Sequence, residues 1–443
     1  MATNIPSASS SSPLLPQEQA LLETYFTSLS EFAYDKAKDY MDREKDGRRT
    51  PPGSMWASLM NALSLLAMAE KTYTSLTFLG QKWFGRRDQS KSNYAMALTD
   101  IRRVKERGRH ASSLGMSGTP APLDRLLSHL CEQLEHYIEA RKDMMDLYEQ
   151  CGLLDGKKFD VNFADQTAKK VSDIITKHAK RFHHPILSAI RNSLSLELEA
   201  LHALLESQLN MSSWRFLPSL LNLKESHSKL EQWGAPLKLK EIKKKLYSAS
   251  PSKSVGIPPL VCWFVRFHGA QLSKFSFYFH DTLSKQVVAG DMKTHIGKLP
   301  VEYYAKVVAF QKRSDAFNIS LVFDTHGSEE TYKGHGYHHP ESIVEPPKGL
   351  DSYPAVFSYP NERPSILWPN VVMLLTQGTP FFCDKVQQKT YYITKVDVKM
   401  NLVVIFDSKK SEKDTHTNNF LNEMGGLLRG NKTFASLRQG AKT

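Results

Sequence analysis

The sequence predicts an α+β protein, in which an N-terminal all-α helical bundle is followed by a smaller α+β domain with a mainly antiparallel sheet flanked by helices. Two observations lead to this prediction. Apolar residues recur at spacings of three and four from about residue 14 to residue 247, which is the period of an amphipathic helix. Short runs of β-branched and aromatic residues bounded by turn residues then follow from residue 318 onward.

Changes of composition along the chain give the predicted domain limits. Residues 1–15 are rich in serine and are expected to form a flexible tail, and residues 16–248 form the predicted helical bundle. Residues 249–259 (ASPSKSVGIPP) bring serine, glycine, lysine and three prolines together, which indicates a linker. Residues 260–443 then form the predicted α+β domain, which includes a long loop at residues 333–369.

The bundle begins with a helix whose apolar residues between positions 22 and 33 share one face. Residues 56–79 are apolar almost all round, so we expect this helix to lie at the centre of the bundle. After Pro122, leucines and tyrosines alternate at spacings of four and three, and Arg141 is the single polar residue on this seam. We predict that the aliphatic stem of Arg141 lies on the seam while its guanidinium reaches water. A buried functional charge is the alternative.

The later elements follow from the same two periods. Three more helices complete the predicted bundle and two open the α+β domain, over about residues 163–181, 187–209, 214–233, 260–285 and 300–313. The predicted strands are residues 318–324, 371–376, 391–396 and 402–407. Asp414 is the predicted N-cap of a closing helix, because its carboxylate can accept hydrogen bonds from the first main-chain NH groups.

The loop at residues 333–369 is the most unusual segment of the sequence. It contains seven prolines, three histidines, three tyrosines and a tryptophan. A loop of this length inside a domain is usually either functional or disordered, and disordered segments are depleted in aromatic residues. We therefore predict a stiff recognition loop. Its candidate partner-binding residues are His335, Tyr337, His338, His339 and Trp368.

The same region also supports an alternative, a metal-dependent hydrolase. Asp324, His326, His335, His338 and His339 are close in sequence, and imidazoles with a carboxylate are the ligands that a catalytic zinc or iron ion needs. Histidines packed in or beside a rigid loop are the favoured interpretation, because a second His-His-Pro sequence occurs in the bundle without a carboxylate cluster. The sequence contains none of the common phosphate-binding, dinucleotide-binding, hydrolase or kinase motifs, so we expect no cofactor and no catalytic residue.

Composition limits the other classes of function. The net charge is +12, and basic residues concentrate in residues 86–109 and 224–253, which we interpret as solvated surfaces. A peripheral membrane adaptor that binds anionic lipid is a third possibility, whereas no nucleic-acid-binding motif occurs. Four scattered cysteines favour a reducing cytosol. We expect neither a transmembrane anchor nor a secretory signal.

Several strings of the sequence carry a resemblance to a known family. They are RFHHPILS at residues 181–188, KFSFYFH at 274–280, KGHGYHHP at 333–340, WPNVVM at 368–373 and VVIFDSKKSEKD at 403–414. Together they resemble the KICSTOR complex subunit 2 family, and the resemblance extends from about residue 17 to the C-terminal region.

The resemblance implies a non-enzymatic scaffold or adaptor subunit of the KICSTOR complex. The implied partners are kaptin, an integrin-alpha repeat protein, the large scaffold subunit and the GATOR complex with its GTPase-activating function. The implied location is the cytosolic face of the lysosomal membrane, reached through the complex, and the cytoplasm. The implied role is to restrain TOR signalling when amino acids or glucose are scarce. Self-association stays an open alternative.

Overall fold

The computed structural model describes residues 16–47, 54–80, 89–113, 122–152, 161–238, 256–286, 288, 294–327 and 348–439. The predicted α+β fold class is confirmed. Within these ranges no helix is both long enough and apolar enough to cross a membrane. The helices of the bundle are α1 (Pro16–Ser30), α2 (Tyr34–Gly47), α3 (Met55–Thr74), α4 (Gln89–Ser113), α5 (Pro122–Gly152), α6 (Val161–His178), α7 (Ser188–Ser212) and α8 (Phe216–Trp233).

Helix α3 lies at the centre of the bundle, as its all-round apolar sequence predicts. It begins after Ser54, whose hydroxyl accepts a hydrogen bond from the NH of Ala57 at 3.1 Å. Helices α2, α4 and α5 pack around it. Its buried residues include Leu59, Met60 and Ala62, which point to different sides of the helix.

The C-terminal part adds six helices and one antiparallel sheet to the described structure. The helices are α9 (Pro259–Tyr278), α10 (His280–Gln286), α11 (Tyr303–Ser314), α12 (Trp368–Gln377), α13 (Thr415–Leu428) and α14 (Asn431–Gln439). The strands are β1 (Asn318–Phe323), β2 (Ala355–Tyr359), β3 (Phe381–Asp384), β4 (Lys389–Lys395) and β5 (Met400–Phe406). They pair in the order β2-β1-β5-β4-β3, and every pair is antiparallel.

Both faces of the sheet are covered by helices. Successive side chains of a strand point to opposite faces. In β5, Leu402 and Val404 accordingly pack with residues of α9, α11 and α13, while Val403 and Ile405 pack with α12 on the other face. Because both faces are buried, β5 has a nearly continuous apolar sequence.

The prediction of a strand at residues 371–376 is wrong. This segment belongs to α12, in which Pro369 occupies the first turn, where its missing NH needs no partner. Trp368, Val371 and Leu374 bury one face of the helix against the sheet, at the spacing of three that a helix requires. Tertiary packing therefore outweighs the β propensity of the two valines.

Two strands were not predicted. Residues 355–359 fall inside the predicted loop but form β2, which pairs with β1. Residues 381–384 form the short edge strand β3, which pairs with β4. The long connection is therefore partly sheet, and its described portion is held by main-chain hydrogen bonds.

Helix α9 belongs both to the core of the bundle and to the core on one face of the sheet. The first half of α9 belongs to the core of the bundle, where the Trp263 ring lies 5.8 Å from the ring of Phe434 in α14. Its second half belongs to the sheet core, where Phe275 lies 5.4 Å from Phe216 of α8. The predicted domain limits stay a prediction. Helix α14, the last one in the described part of the chain, packs back onto α5 of the bundle.

Candidate partner-binding surface

The structure describes one of the five predicted partner-binding residues. His335, Tyr337, His338 and His339 lie outside the described residues. Trp368 lies at the start of α12 and is only 1% exposed. Its side chain therefore presents almost no surface to a partner.

Trp368 anchors the end of the long connection to the sheet. Its Nε1 donates a hydrogen bond to the carbonyl oxygen of Tyr353 at 3.0 Å, and the guanidinium of Arg363 lies 5.5 Å from its ring centre. The ring packs among apolar residues of α12 and the sheet, including Val322 and Ile405. Because Tyr353 lies two residues before the start of β2, this contact ties α12 to the strand at the edge of the sheet.

Of the five residues in the hydrolase alternative, only Asp324 and His326 are described, and they bond to each other. The Asp324 Oδ1 accepts a hydrogen bond from the His326 NH at 3.0 Å and lies 2.8 Å from the His326 Nδ1. The His326 ring also lies 5.0 Å from that of Tyr353. Among the described residues no group of three or more histidines, cysteines or carboxylates is arranged to hold a metal ion. The pair therefore acts as a cap on the turn that follows β1.

The prediction that the Arg141 guanidinium reaches water is wrong. Arg141 is 3% exposed and lies between two carboxylates. Its Nη2 lies 3.0 Å from the Glu70 Oε2 of α3, and its Nη1 donates to the Glu197 Oε2 of α7 at 2.6 Å. Its charged head is therefore enclosed by the bundle.

Tyrosine hydroxyl groups complete this network, which we call the Arg141 cluster: Arg141, Glu70, Glu197 and the tyrosines that contact them. Glu197 Oε1 accepts hydrogen bonds from Tyr73 at 2.5 Å and from Tyr148 at 2.9 Å. Glu70 Oε1 accepts one from Tyr94 at 2.7 Å. Burial and the nearby Glu197 charge raise the pKa of Tyr73, so its hydroxyl stays a donor.

The Arg141 cluster joins helices α3, α4, α5 and α7. Two carboxylates face one guanidinium, and the tyrosine hydroxyl groups supply further donors. A buried network of this kind is rigid when its members are satisfied, because any rearrangement would leave a charge unpaired in a low-dielectric interior. The sequence does contain a signal for it: Glu70 is the only acidic residue in helix α3, most of whose residues are apolar.

A second buried ion pair joins the bundle to the sheet. Lys274 of α9 donates to the Asp397 Oδ2 in the β4–β5 turn at 2.5 Å. Ser212 of α7 and Tyr278 of α9 donate to the same oxygen at 3.0 and 3.2 Å. Burial lowers the pKa of Lys274, and the charge of Asp397 opposes that shift. Neither residue was predicted, because nothing in the local sequence links them.

Helix α8 carries an exposed apolar surface. Leu217, Leu220 and Leu221 are 42%, 39% and 55% exposed, and their spacing places them on one side of the helix. The opposite side of α8 is buried through residues such as Phe216 and Leu223. The three leucines are thus outside the core of this chain, at positions where a surface helix usually carries polar residues.

Sequence comparison relates almost the whole chain to proteins of one complex. The family described as KICSTOR complex C12orf66 like matches residues 11–442. A Xenopus laevis protein named KICSTOR subunit 2 is 42% identical over 441 residues, which cover 96% of this chain and 97% of the relative. A Danio rerio protein with the same name is 42% identical over 445 residues, which cover 97% of each chain.

Proposed function

This chain belongs to the KICSTOR C12orf66-like family, and on that premise we propose that it is a non-enzymatic scaffold subunit of the KICSTOR complex. The observation that carries the proposal is the extent of the similarity. Relatives named KICSTOR subunit 2 align with 96% and 97% of the chain, so the similarity includes the bundle, the sheet and the connections between them.

The chemistry of the buried charged groups supports a scaffold role. Arg141 and Lys274 are each enclosed and bonded to carboxylates, and each joins segments that are distant in sequence. Such pairs favour one arrangement of the helices over others. A protein that acts by holding partners in fixed relative positions needs this property.

We extend the proposal to the role that the sequence resemblance implies. In this proposal the subunit binds kaptin, the integrin-alpha repeat protein and the large scaffold subunit, and the assembly holds the GATOR complex at the cytosolic face of the lysosomal membrane. Loss of the subunit would then leave TOR signalling high when amino acids or glucose are withdrawn. Part of the protein would also be present in the cytoplasm.

Co-expression of the full chain with the three proposed partner subunits tests the scaffold role. We expect the chains to purify together through an affinity tag on this chain and to remain together in size-exclusion chromatography. In cells that lack the chain, TOR signalling should persist during amino-acid withdrawal and should be restored by the wild-type sequence. Failure of the partners to purify with the wild-type chain would overturn the proposal.

The predicted recognition loop has its own test. Replacing His335, Tyr337, His338 and His339 together with serine should reduce the recovery of partners while the thermal unfolding of the bundle is unchanged. Replacing His183 with serine is the matched control, because it removes an exposed histidine from the other His-His-Pro sequence. Equal recovery of partners with the loop variant and the control would contradict a role of the loop in binding.

A further inference from the structure

Strand β3 forms one edge of the sheet, and its hydrogen-bonding register can be read from one contact. The Ile393 NH donates to the carbonyl oxygen of Pro380 at 2.8 Å. In the β3–β4 ladder Phe381 pairs with Tyr392 and Phe382 with Tyr391. Because main-chain groups in an antiparallel ladder point alternately toward and away from the neighbouring strand, residues 380, 382 and 384 face β4.

The main-chain groups of Phe381 and Cys383 consequently point away from the sheet. Each offers an NH donor and a carbonyl acceptor along the open side of β3. Within the ranges that the structure describes, no residue makes a hydrogen bond to these groups from that side. The open side of β3 is therefore a row of donors and acceptors arranged as a strand presents them.

The opposite edge of the sheet is protected. Strand β2 lies between Pro354 and Pro360, and helices α9 and α10 pack against it. The ring of Phe357, for example, lies 4.9 Å from that of Phe277. Proteins commonly block an edge strand with prolines or with a covering element.

Pro380 does not protect the open side of β3. Its carbonyl group faces β4, and in an antiparallel ladder the nitrogen of the same residue faces the same neighbour. The donor that proline lacks is therefore missing from the β4 side. Both donors on the open side remain.

The side chains of β3 are covered on one side only. The Phe381 ring lies 5.1 Å from the ring of Tyr392, and the Phe382 ring lies 6.1 Å from that of Tyr391. Both phenylalanines are half-buried. On neighbouring α12, Met373 is 41% exposed. A further strand beside β3 would cover the remaining faces of both rings.

We propose that β3 is a strand-addition site that receives an extended segment of a partner subunit as a sixth strand. This inference rests on the proposed function as a complex subunit. Unpaired main-chain donors and acceptors in strand geometry complement another extended backbone. Because Phe381 and Phe382 lie on opposite faces of the sheet, two successive apolar side chains of that segment would pack on them, one on each face. The ligand is thus an extended polypeptide with apolar residues at adjacent positions, so that both faces of the added strand are apolar beside β3.

A partner segment fits this edge better than a second copy of the chain. Strand β3 has four residues, with α12 before it and the tight turn to β4 after it. If two copies of the chain paired through β3 about a two-fold axis, α12 and the β3–β4 turn of each copy would lie beside the four-residue β3 of the other copy. A single extended segment brings no such neighbours.

Hydrogen–deuterium exchange of the full chain, alone and in the co-expressed complex, tests the inference. We expect peptides that cover residues 379–386 to exchange at least about tenfold more slowly in the complex, because the outward amides gain acceptors. A complex that forms without slower exchange in these peptides would overturn the strand-addition site and leave the proposed function intact. Absence of any complex would overturn the proposed function itself. Slower exchange in the isolated chain at high concentration, together with dimer formation, would identify a second copy as the occupant and overturn the proposal.

A substitution at Cys383 tests the same contact by removing one of the main-chain donors that β3 offers to the partner segment. Cys383→Pro removes one outward donor and leaves the ladder to β4 intact, because this NH makes no bond to β4. Cys383→Val is the matched control, since it keeps the donor and has similar volume. We expect Cys383→Pro to weaken recovery of the bound partner about tenfold and Cys383→Val to change it less than about twofold. Equal recovery with both variants at equal thermal stability would overturn the proposal, and the exchange experiment decides the matter if Cys383→Pro does not fold.

Discussion

Replacing Arg141 with methionine is the most direct test of the buried cluster. Methionine keeps the aliphatic volume on the α5 seam but leaves Glu70 and Glu197 enclosed without a cation. Removing one partner of a buried ion pair typically costs about 3–5 kcal/mol. A typical domain has a free energy of unfolding of only about 5–15 kcal/mol, so the bundle should be severely destabilised.

Urea unfolding followed by far-ultraviolet circular dichroism measures this loss as a change in the free energy of unfolding. Arg181→Met is the matched control, because Arg181 is exposed and its Nη1 lies 3.4 Å from the Glu139 Oε2. Exposed pairs contribute about 0–1 kcal/mol, so the control should unfold almost as the wild type does. Arg141→Lys should fall between the two, since an ammonium cannot bond both carboxylates as a guanidinium does.

A triple variant separates lost charge pairing from lost packing. Arg141→Met combined with Glu70→Gln and Glu197→Gln removes all three charges, while the amide oxygens can still accept the tyrosine hydrogen bonds. We expect this variant to recover most of the stability lost by Arg141→Met alone. A loss below about 1 kcal/mol for the single variant, or a triple variant no more stable than the single one, would refute the reasoning.

Three further predictions follow from other contacts. Burial lowers the pKa of His184 below its usual 6.5, and its Nδ1 accepts a hydrogen bond from the NH of Ile186 at 3.3 Å. As the pH drops below 6.5, the unfolded chain therefore binds a proton before the folded chain does, and the free energy of unfolding falls. His184→Asn keeps an acceptor but does not titrate, so urea unfolding between about pH 7.5 and about pH 5.5 should show a smaller loss than in the wild type, and an equal loss would contradict this. Trp368→Ala should lower the free energy of unfolding by about 3–5 kcal/mol, whereas Ile366→Ala, at a residue 90% exposed, should change it little; similar losses for the two variants would argue against the anchor. Asp414 is the N-cap of α13, and its carboxylate accepts a hydrogen bond from the NH of Thr417. Asp414→Ala should lower the free energy of unfolding, measured by thermal unfolding, by about 1 kcal/mol, whereas Asp414→Asn should retain most of the stability.

Periodicity predicted the elements of this protein because helix and strand spacing is a local property of the chain. The predicted strands at residues 318–324, 391–396 and 402–407 are all present, with limits that differ by one or two residues. Asp414 is also the N-cap that its sequence position suggested. The prediction of a strand at residues 371–376 is wrong. These residues have high β propensity, but they form a helix because one face of that helix is buried against the sheet.

The sequence was less informative about the candidate site. Four of the five predicted partner-binding residues lie outside the described residues, and their role stays a prediction. The fifth, Trp368, is buried by contacts with β1 and β5, which no local pattern in the loop could indicate. The unpaired side of β3 likewise depends on which strands become neighbours, and that order follows from the packing of the whole sheet.

By itself the sequence determined the α+β class, most helices and strands, and the resemblance that the family comparison confirmed. Only the tertiary structure decided the partners of the buried charges. Glu70 and Glu197 lie 71 and 56 residues from Arg141, so their contact exists only when α3, α5 and α7 pack together. The physical reason is that the apolar face of a helix or strand is set by residues close in sequence. The pairing partners of a buried charge, by contrast, are groups that distant segments bring within hydrogen-bonding distance.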